Sequence, residues 1–183
     1  MKKYIALLSF VAALFVGSCS PYTDEEPGGV AVQDLCGTWI VDAYVSLNEY
    51  LGVVSLDTLT KEQMDGLDDW ANWFDGTTVI RTYNTANNDK DSLWFHDLGL
   101  VGKQFKVGAN YGQLTFSSDT VSSSDGAVKA IVKYGAVFKD AATTRRGQKA
   151  ESIITYVKYS NKAYTFMYTG YRYTGFADDE VLE

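Results

Sequence analysis

The side chains best suited to acid–base chemistry lie around a single histidine. His96 is the only histidine of the 183 residues, and Asp91 and Asp97 are close to it in sequence. A hydrolytic triad needs a serine, a histidine and an acid that converge in space. Asp97 follows His96 directly, so on a strand the two side chains point to opposite faces. We keep a hydrolase of unknown substrate as an alternative and predict no catalytic residue.

Motifs for metal or phosphate chemistry are missing from the sequence. It has no HExxH, no CxxC, no glycine-rich phosphate loop and no G-x-S-x-G. We therefore predict no metal and no cofactor. The formal net charge is −7, whereas binding to nucleic acid needs a basic surface. Nucleic acid is accordingly not expected as a partner.

The N-terminal residues predict a covalent modification. Lys2 and Lys3 precede an apolar run over residues 4–16, which is shorter than the roughly 20 residues of a membrane-spanning helix and typical of a signal peptide. Residues 16–19, VGSC, resemble the lipobox of bacterial lipoproteins. That resemblance implies removal of residues 1–18 and a diacylglycerol thioether on Cys19. The alternative is an ordinary secretory signal with an incidental cysteine.

Residues 19–29 have the composition of a flexible tether, because prolines, acids and glycines together bury no core. A diacylated cysteine anchors a protein stably, so we expect an outer membrane lipoprotein whose anchor contacts the membrane. Asp24, Glu25 and Glu26 resemble acidic signals that export lipoproteins to the cell surface. A solvated linker explains these acids equally well, so the cell surface and the periplasmic face both remain open.

The remainder, residues 30–183, has the size of one domain. Its only thiol is Cys36, which we interpret as a small buried hydrophobe, with a reactive thiol as the alternative. The domain has no proline, and stretches rich in Val, Ile, Thr, Tyr and Phe alternate with turn residues. This pattern predicts an all-β fold. The predicted strands cover residues 37–46, 77–83, 91–97, 103–109, 112–118, 127–139 (bent or split at Gly135), 151–159 and 162–174.

Residues 60–74 break the β pattern. Thr60 and Gln63 have the spacing of a capping box, and Met64, Leu67 and Phe74 follow at helical spacing. We predict one short amphipathic helix inserted between the first two strands. Its apolar side covers the core in the simpler interpretation and forms a lid over a cavity in the other.

Eight antiparallel strands hide their edges by closing into a barrel, and a barrel of about eight strands can hold one small ligand. The stretch CGTWIVDAY at 36–44 resembles the first strand of lipocalin-like barrels. The resemblance implies that Trp39 plugs the closed end and that a basic side chain of the last strand, here Arg172, lies over it. We therefore predict a lipocalin-like antiparallel barrel with one short inserted helix.

Four further stretches extend the resemblance over roughly residues 35–180. They read GTWIVDAYV, IRTYNTANNDKDSLWF, TTRRGQKAESI and GYRYTGFADDE. Together with the leader they resemble the lipid-binding putative hydrolase family of bacterial lipoproteins. The resemblance implies a lipid-like ligand and brings no catalytic residues with it. The insertion at about 47–75 is longer than we expect for this family.

We predict that the protein binds a hydrophobic or amphipathic small molecule in its barrel. Six aromatic residues are the candidate contacts: Tyr83, Trp94, Phe105, Phe116, Tyr156 and Phe166. Ordinary core packing is the alternative role for each of them. A glycan- or protein-binding barrel at the cell surface is the other hypothesis, with Trp70, Trp73 and Tyr111 available to stack on sugars.

Overall fold

The computed structural model describes residues 29–144 and 146–176. The predicted signal peptide, Cys19 and most of the predicted tether lie outside these residues. The described residues form ten strands: β1 (Gly37–Ser46), β2 (Trp70–Asn72), β3 (Thr78–Asn84), β4 (Ser92–Asp97), β5 (Lys103–Asn110), β6 (Thr115–Ser117), β7 (Thr120–Ser122), β8 (Lys129–Thr143), β9 (Lys149–Tyr159) and β10 (Thr165–Arg172). Two helices, α1 (Leu47–Tyr50) and α2 (Lys61–Asp65), lie between β1 and β2.

Eight of the strands close into an antiparallel barrel in the order β1-β3-β4-β5-β6-β8-β9-β10. The ring is closed by β10 and β1, which pair from Trp39 opposite Arg172 to Val45 opposite Phe166. The short strands β2 and β7 pair with β1 and β8 beside β3 and β6. The predicted all-β barrel of about eight strands is therefore confirmed.

A glycine lets β6 and β8 pack closely across the barrel wall. Gly135 pairs with Phe116, and a Cβ on this glycine would lie 2.2 Å from the Phe116 ring. The aromatic ring thus occupies the space that a side chain would need. The strand predicted as bent or split at Gly135 is not split there, and the register shifts of β8 fall between Val132 and Tyr134 and between Phe138 and Ala142.

The predicted helix over 60–74 is correct only for its first part. The capping box of Thr60 and Gln63 is present, but α2 ends at Asp65 with Gly66 as its cap. Trp70 and its two successors instead pair with the end of β1 as strand β2. Asp69 directs this change, because its Oδ2 accepts hydrogen bonds from Ser46 Oγ and the Asn48 N–H. Strand pairing with the end of β1 therefore outweighs the helical spacing of the apolar residues in this segment.

Side chains that alternate along the strands meet inside the barrel. Aromatic rings form much of this core, with centres 5.8 Å apart between Phe105 and Tyr159 and 6.4 Å apart between Tyr159 and Phe166. Phe95 and Phe116 stack at 6.2 Å on the other side. All of these rings are buried. The barrel interior is thus occupied by packed side chains.

The two ends of the barrel are built differently. A 3-10 turn at Gln33–Leu35 lies at one end and buries Leu35 beside Trp39. Thr82 connects them, because its hydroxyl accepts from the Trp39 indole N–H and donates to the Leu35 carbonyl. The other end carries the longest insertion. We call residues 47–69, which run from the end of β1 to the start of β2, the strap.

Candidate functional site

The strap begins at a buried carboxylate beside the β9–β10 hairpin. Glu49, in α1, is buried and accepts from the Thr165 backbone N–H at 2.7 Å. Its other oxygen lies 3.5 Å from the Lys158 ammonium, which also donates to the Ala163 carbonyl. A buried carboxylate needs such partners. The start of the strap is therefore fixed to the end of β9 and the start of β10.

The middle of the strap crosses the outer wall of the barrel. Leu56 and Met64 are its fully buried apolar residues. Lys133, at the register shift of β8, donates from Nζ to the carbonyls of Leu56 and Asp57 at 2.5 and 2.6 Å. Burial lowers the pKa of this ammonium group. Lys133 has no pairing partner on β9, and its side chain points outward and binds the strap.

Helix α2 lies over two tyrosines of the outer wall. Its Asp65 accepts a 2.7 Å hydrogen bond from Tyr156 Oη and forms an ion pair with Lys61. The Lys61 ammonium also lies 4.8 Å from the centre of the Tyr134 ring. Burial, followed by the bond to Asp65, raises the pKa of Tyr156 well above its usual value. Three polar groups therefore gather where the helix meets the barrel.

A groove of about 440 Å³ opens beside α2, on the outer side of β9 and β10. Its polar end is formed by Lys61, Asp65 and Tyr156. Most of the other lining residues are apolar: Leu67, Trp70, Phe138, Ile153, Ile154 and Met167, with Ser152 and Thr169. The Trp70 ring also packs on Tyr156, with centres 5.7 Å apart. We call this cavity the strap groove.

Two further cavities border the strap. One, of about 660 Å³, lies on the other side of α2, between the strap and residues of β5, β6 and β8, and most of its lining residues are polar. The other, of about 420 Å³, lies where β8 begins and β9 ends, and three lysines line it. Residues of the strap contribute to the lining of all three cavities. The strap is thus flanked by space on both sides.

Comparison with known proteins identifies a family. A sequence model of the family described as lipid-binding putative hydrolase matches residues 24–177. The chain belongs to this family. A search of curated proteins found no match. The family description agrees with the barrel and with apolar cavities on its wall, and the fold expected from the family resemblance is the one observed.

Within this family fold, the six predicted ligand contacts occupy three different places. Phe105, Phe116 and Phe166 point into the barrel and are buried in its core. Tyr83 and Trp94 are cross-strand neighbours on the outer side of β3 and β4, and neither lines any of the three cavities. Tyr156 is on the outer side of β9, where it lines the strap groove. The tertiary structure therefore brings only Tyr156 to a described cavity.

Apolar residues of the groove were missed by the sequence analysis, although a signal exists. Ile154 and Met167 lie on the outer face of β9 and β10, where an exposed strand would carry polar residues. Alternation in these strands therefore places apolar side chains on both faces. Such two-sided strands indicate that something covers the outer wall.

The predicted closure residues lie together at the end capped by Leu35. Trp39 and Arg172 are cross-strand neighbours, and the guanidinium carbon lies 4.9 Å from the centre of the indole ring. Arg172 also donates to the Asp34 carbonyl at 2.8 Å and pairs with Glu151. The arginine thereby joins the last strand to the segment that precedes the first.

His96 and Asp97 point to opposite sides of β4. His96 is half-buried on the outer face, between Arg81 and Gln104 on the neighbouring strands. Burial, and then the nearby Arg81, lower its pKa. Asp97 is inside the barrel, where Tyr159 and Tyr168 donate to its Oδ2. The histidine therefore has an arginine and a glutamine as cross-strand neighbours, and Asp97 cannot orient it.

Three aromatic residues with a hypothetical role in sugar binding do not form a common platform. Trp70 packs on Tyr156, whereas Trp73 contacts Tyr164 and the edge of Phe166. Tyr111 is near the other end of the barrel and donates to Asp34. A single sugar cannot stack on rings at opposite ends of the molecule.

The remaining candidates for chemistry are few. Cys36 is half-buried, and burial raises the pKa of its thiol. Over residues 29–144 and 146–176, no group of three or more His, Cys, Asp or Glu side chains is arranged to hold a metal ion. Within the same ranges, no helix has the length and apolar character needed to cross a membrane.

Proposed function

We propose that the mature protein is a lipoprotein that binds a lipid-like amphipathic molecule in the strap groove. The observation that carries this proposal is the groove itself. Its volume of about 440 Å³ is within the roughly 300–1,000 Å³ of small-molecule sites. Aromatic rings occupy the barrel interior, so the outer wall offers the space that a ligand needs. The family description, lipid-binding, supports the same class of ligand.

The groove suits a molecule with an apolar tail and an uncharged polar head. The tail would lie along Trp70, Ile154 and Met167, where burial of apolar surface favours binding. The head would meet Lys61 and Asp65, which already neutralise each other. Because no net charge remains at this end, a hydroxyl or ester group fits better than a charged head.

Quenching of tryptophan fluorescence tests the position of the ligand. The probe is the methyl ester of a fatty acid with a nitroxide on its chain, which quenches a tryptophan in contact with it. We expect saturable quenching of the wild-type protein and loss of most of it in Trp70→Phe. Quenching that persists in Trp70→Phe and disappears in Trp39→Phe would place the ligand inside the barrel and overturn the proposal.

Two groove variants test the site by affinity. Ile154→Asp puts a charge on the apolar wall, and Thr169→Trp fills the groove without removing a core contact. We expect either change to weaken binding of the ester at least about tenfold, or roughly 1.4 kcal/mol. Leu98→Asp, an exposed residue in the β4–β5 turn, is the control and should bind as the wild type does. Unchanged affinity in both groove variants would contradict the proposal.

We also propose that Cys19 carries the lipid anchor and that the domain is held at the outer membrane. The sequence around Cys19 supports this location, and the acids that follow it fit either the cell surface or the periplasmic face. In cells fed an alkyne-labelled fatty acid, the wild-type chain should be labelled and should fractionate with membranes. Cys19→Ser should lose both properties. Protease added to intact cells distinguishes the two faces, because only a surface protein is cleaved.

A further inference from the structure

The third cavity bordering the strap carries an excess of positive charge. It measures about 420 Å³ and lies where β9 ends and where β7 and β8 begin, with Asp57 of the strap in its lining. Lys129, Lys158 and Lys162 all line it. This is unusual in a chain with 23 acidic and 16 basic residues. We call it the lysine cavity.

Only one of the three lysines is neutralised. Lys158 lies 3.5 Å from Glu49 and 3.6 Å from Asp57. Within the part of the chain that the structure describes, neither Lys129 nor Lys162 has a salt-bridge partner. Three ammonium groups against two carboxylates leave one positive charge. Like charges around one cavity repel each other, and a bound anion would relieve this repulsion.

The wall of the cavity is not polar throughout. Ala130 and the partly exposed Ile131 form part of it, and the alkyl stems of the lysines add apolar surface. Many other lysines in the described ranges are paired, as Lys103 is with Asp125 and Lys139 with Asp34. The unpaired charge therefore lies beside an apolar wall, which suits a singly charged head on an alkyl chain.

We propose that the lysine cavity binds a monoanionic amphipath, such as a fatty carboxylate, with the carboxylate between Lys129 and Lys162. This is a second site, separate from the strap groove and independent of the function proposed for it. The two sites share no lining residue. The ligands expected at the two sites also differ in their head groups, which are uncharged in the strap groove and anionic in the lysine cavity.

Calorimetric titration with decanoate, below its micelle concentration, tests this site. The titration uses the full-length mature chain with Thr169→Trp, so that the strap groove is filled. We expect saturable binding of decanoate, no binding of acetate, and much weaker binding of decyltrimethylammonium, which has the same tail and the opposite charge. Adding 0.5 M NaCl should weaken the binding of decanoate because salt screens the lysines.

Removing the two unpaired charges provides the decisive variant. Lys129→Gln/Lys162→Gln in the same background should weaken decanoate binding at least about tenfold. Lys90→Gln/Lys149→Gln, at exposed positions elsewhere, removes the same charge and should bind as the parent does. Equal affinity in both double variants, or equal affinity for the cationic probe, would overturn the second site. The groove would remain supported if the uncharged ester still requires Ile154.

Discussion

Asp97 is a buried carboxylate that needs hydrogen bonds to compensate for its loss of contact with water. Its side chain is fully buried in the barrel. One oxygen accepts from the backbone N–H groups of Gly99 and Leu100, and the other accepts from the hydroxyls of Tyr159 and Tyr168. Burial and the nearby carboxylate raise the pKa of both tyrosines well above its usual value. One carboxylate thereby joins the β4–β5 turn to the last two strands.

Replacing Asp97 tests this interpretation. Asp97→Ala leaves four donors without an acceptor, and we expect the free energy of unfolding to fall by about 3–5 kcal/mol. Tyr168→Phe removes one donor and should cost about 1–2 kcal/mol. Urea denaturation measures both values. A loss below about 1 kcal/mol for Asp97→Ala would show that the network contributes little to stability.

Among the structural elements, the β6–β8 pair depends on a single missing side chain. Gly135→Ala would put a Cβ 2.2 Å from the Phe116 ring, and overpacking of this kind costs about 1–3 kcal/mol. Phe116→Leu should recover part of that loss, because leucine leaves room for the methyl group. A thermodynamic cycle over the two substitutions measures the coupling.

Gly170 is the matched comparison for this prediction. A Cβ there would lie 1.9 Å from the backbone oxygen of Ile40. No side-chain substitution can remove a backbone atom. Gly170→Ala should therefore destabilise the β1–β10 pair, and Phe116→Leu should not rescue it. Rescue of both alanine variants by Phe116→Leu would show that the substitution acts through general loosening of the core.

At the scale of the whole molecule, the barrel and the strap differ in how they are held. The barrel is closed by continuous strand pairing, whereas the strap has helices of four and five residues and is fixed by side-chain contacts. Two of these contacts use Asp65 and Asp69. Burial alone would raise the pKa of both carboxyls, but hydrogen bonds from their neighbours hold each pKa below its usual value. The attachment of the strap therefore depends on ionised carboxylates.

The sign of the pH effect follows from these lowered pKa values. A carboxyl with a lower pKa in the folded protein stabilises it above the unfolded pKa of about 4 and loses this contribution as the pH falls further. We expect the protection of strap amides against hydrogen exchange, taken relative to the intrinsic rate at each pH, to fall below about pH 4 before that of β1 and β10. Asp65→Asn should lower the protection of strap amides at pH 7 and make that protection less dependent on pH. If amides of the barrel and of the strap lost their protection at the same pH, the strap would not be the less stable part.

Local patterns in the sequence were sufficient to predict the eight strands of the barrel, but not the short strands β2 and β7. Alternation and turn residues are properties of neighbouring residues, so most predicted strands lie within a few residues of those observed, and the capping box of Thr60 and Gln63 is present. The acidic composition and the family resemblance are likewise properties of the sequence alone. Because eight such strands have unpaired edges, closure into a barrel follows from the same pattern.

Only the tertiary structure decided where space for a ligand exists. Alternation separates the two faces of a strand but does not say which face looks inward, and here both faces of β9 and β10 carry apolar residues. Tyr83 and Trp94 thus lie outside, Phe105 and Phe166 are packed inside, and Tyr156 lies under the strap. The change from helix to strand after Gly66 depends on the hydrogen bond that Asp69 accepts from Ser46, 23 residues earlier in the chain. Contacts between distant residues, which no local pattern encodes, therefore determine the candidate site, whereas the strands that surround it are determined by the sequence itself.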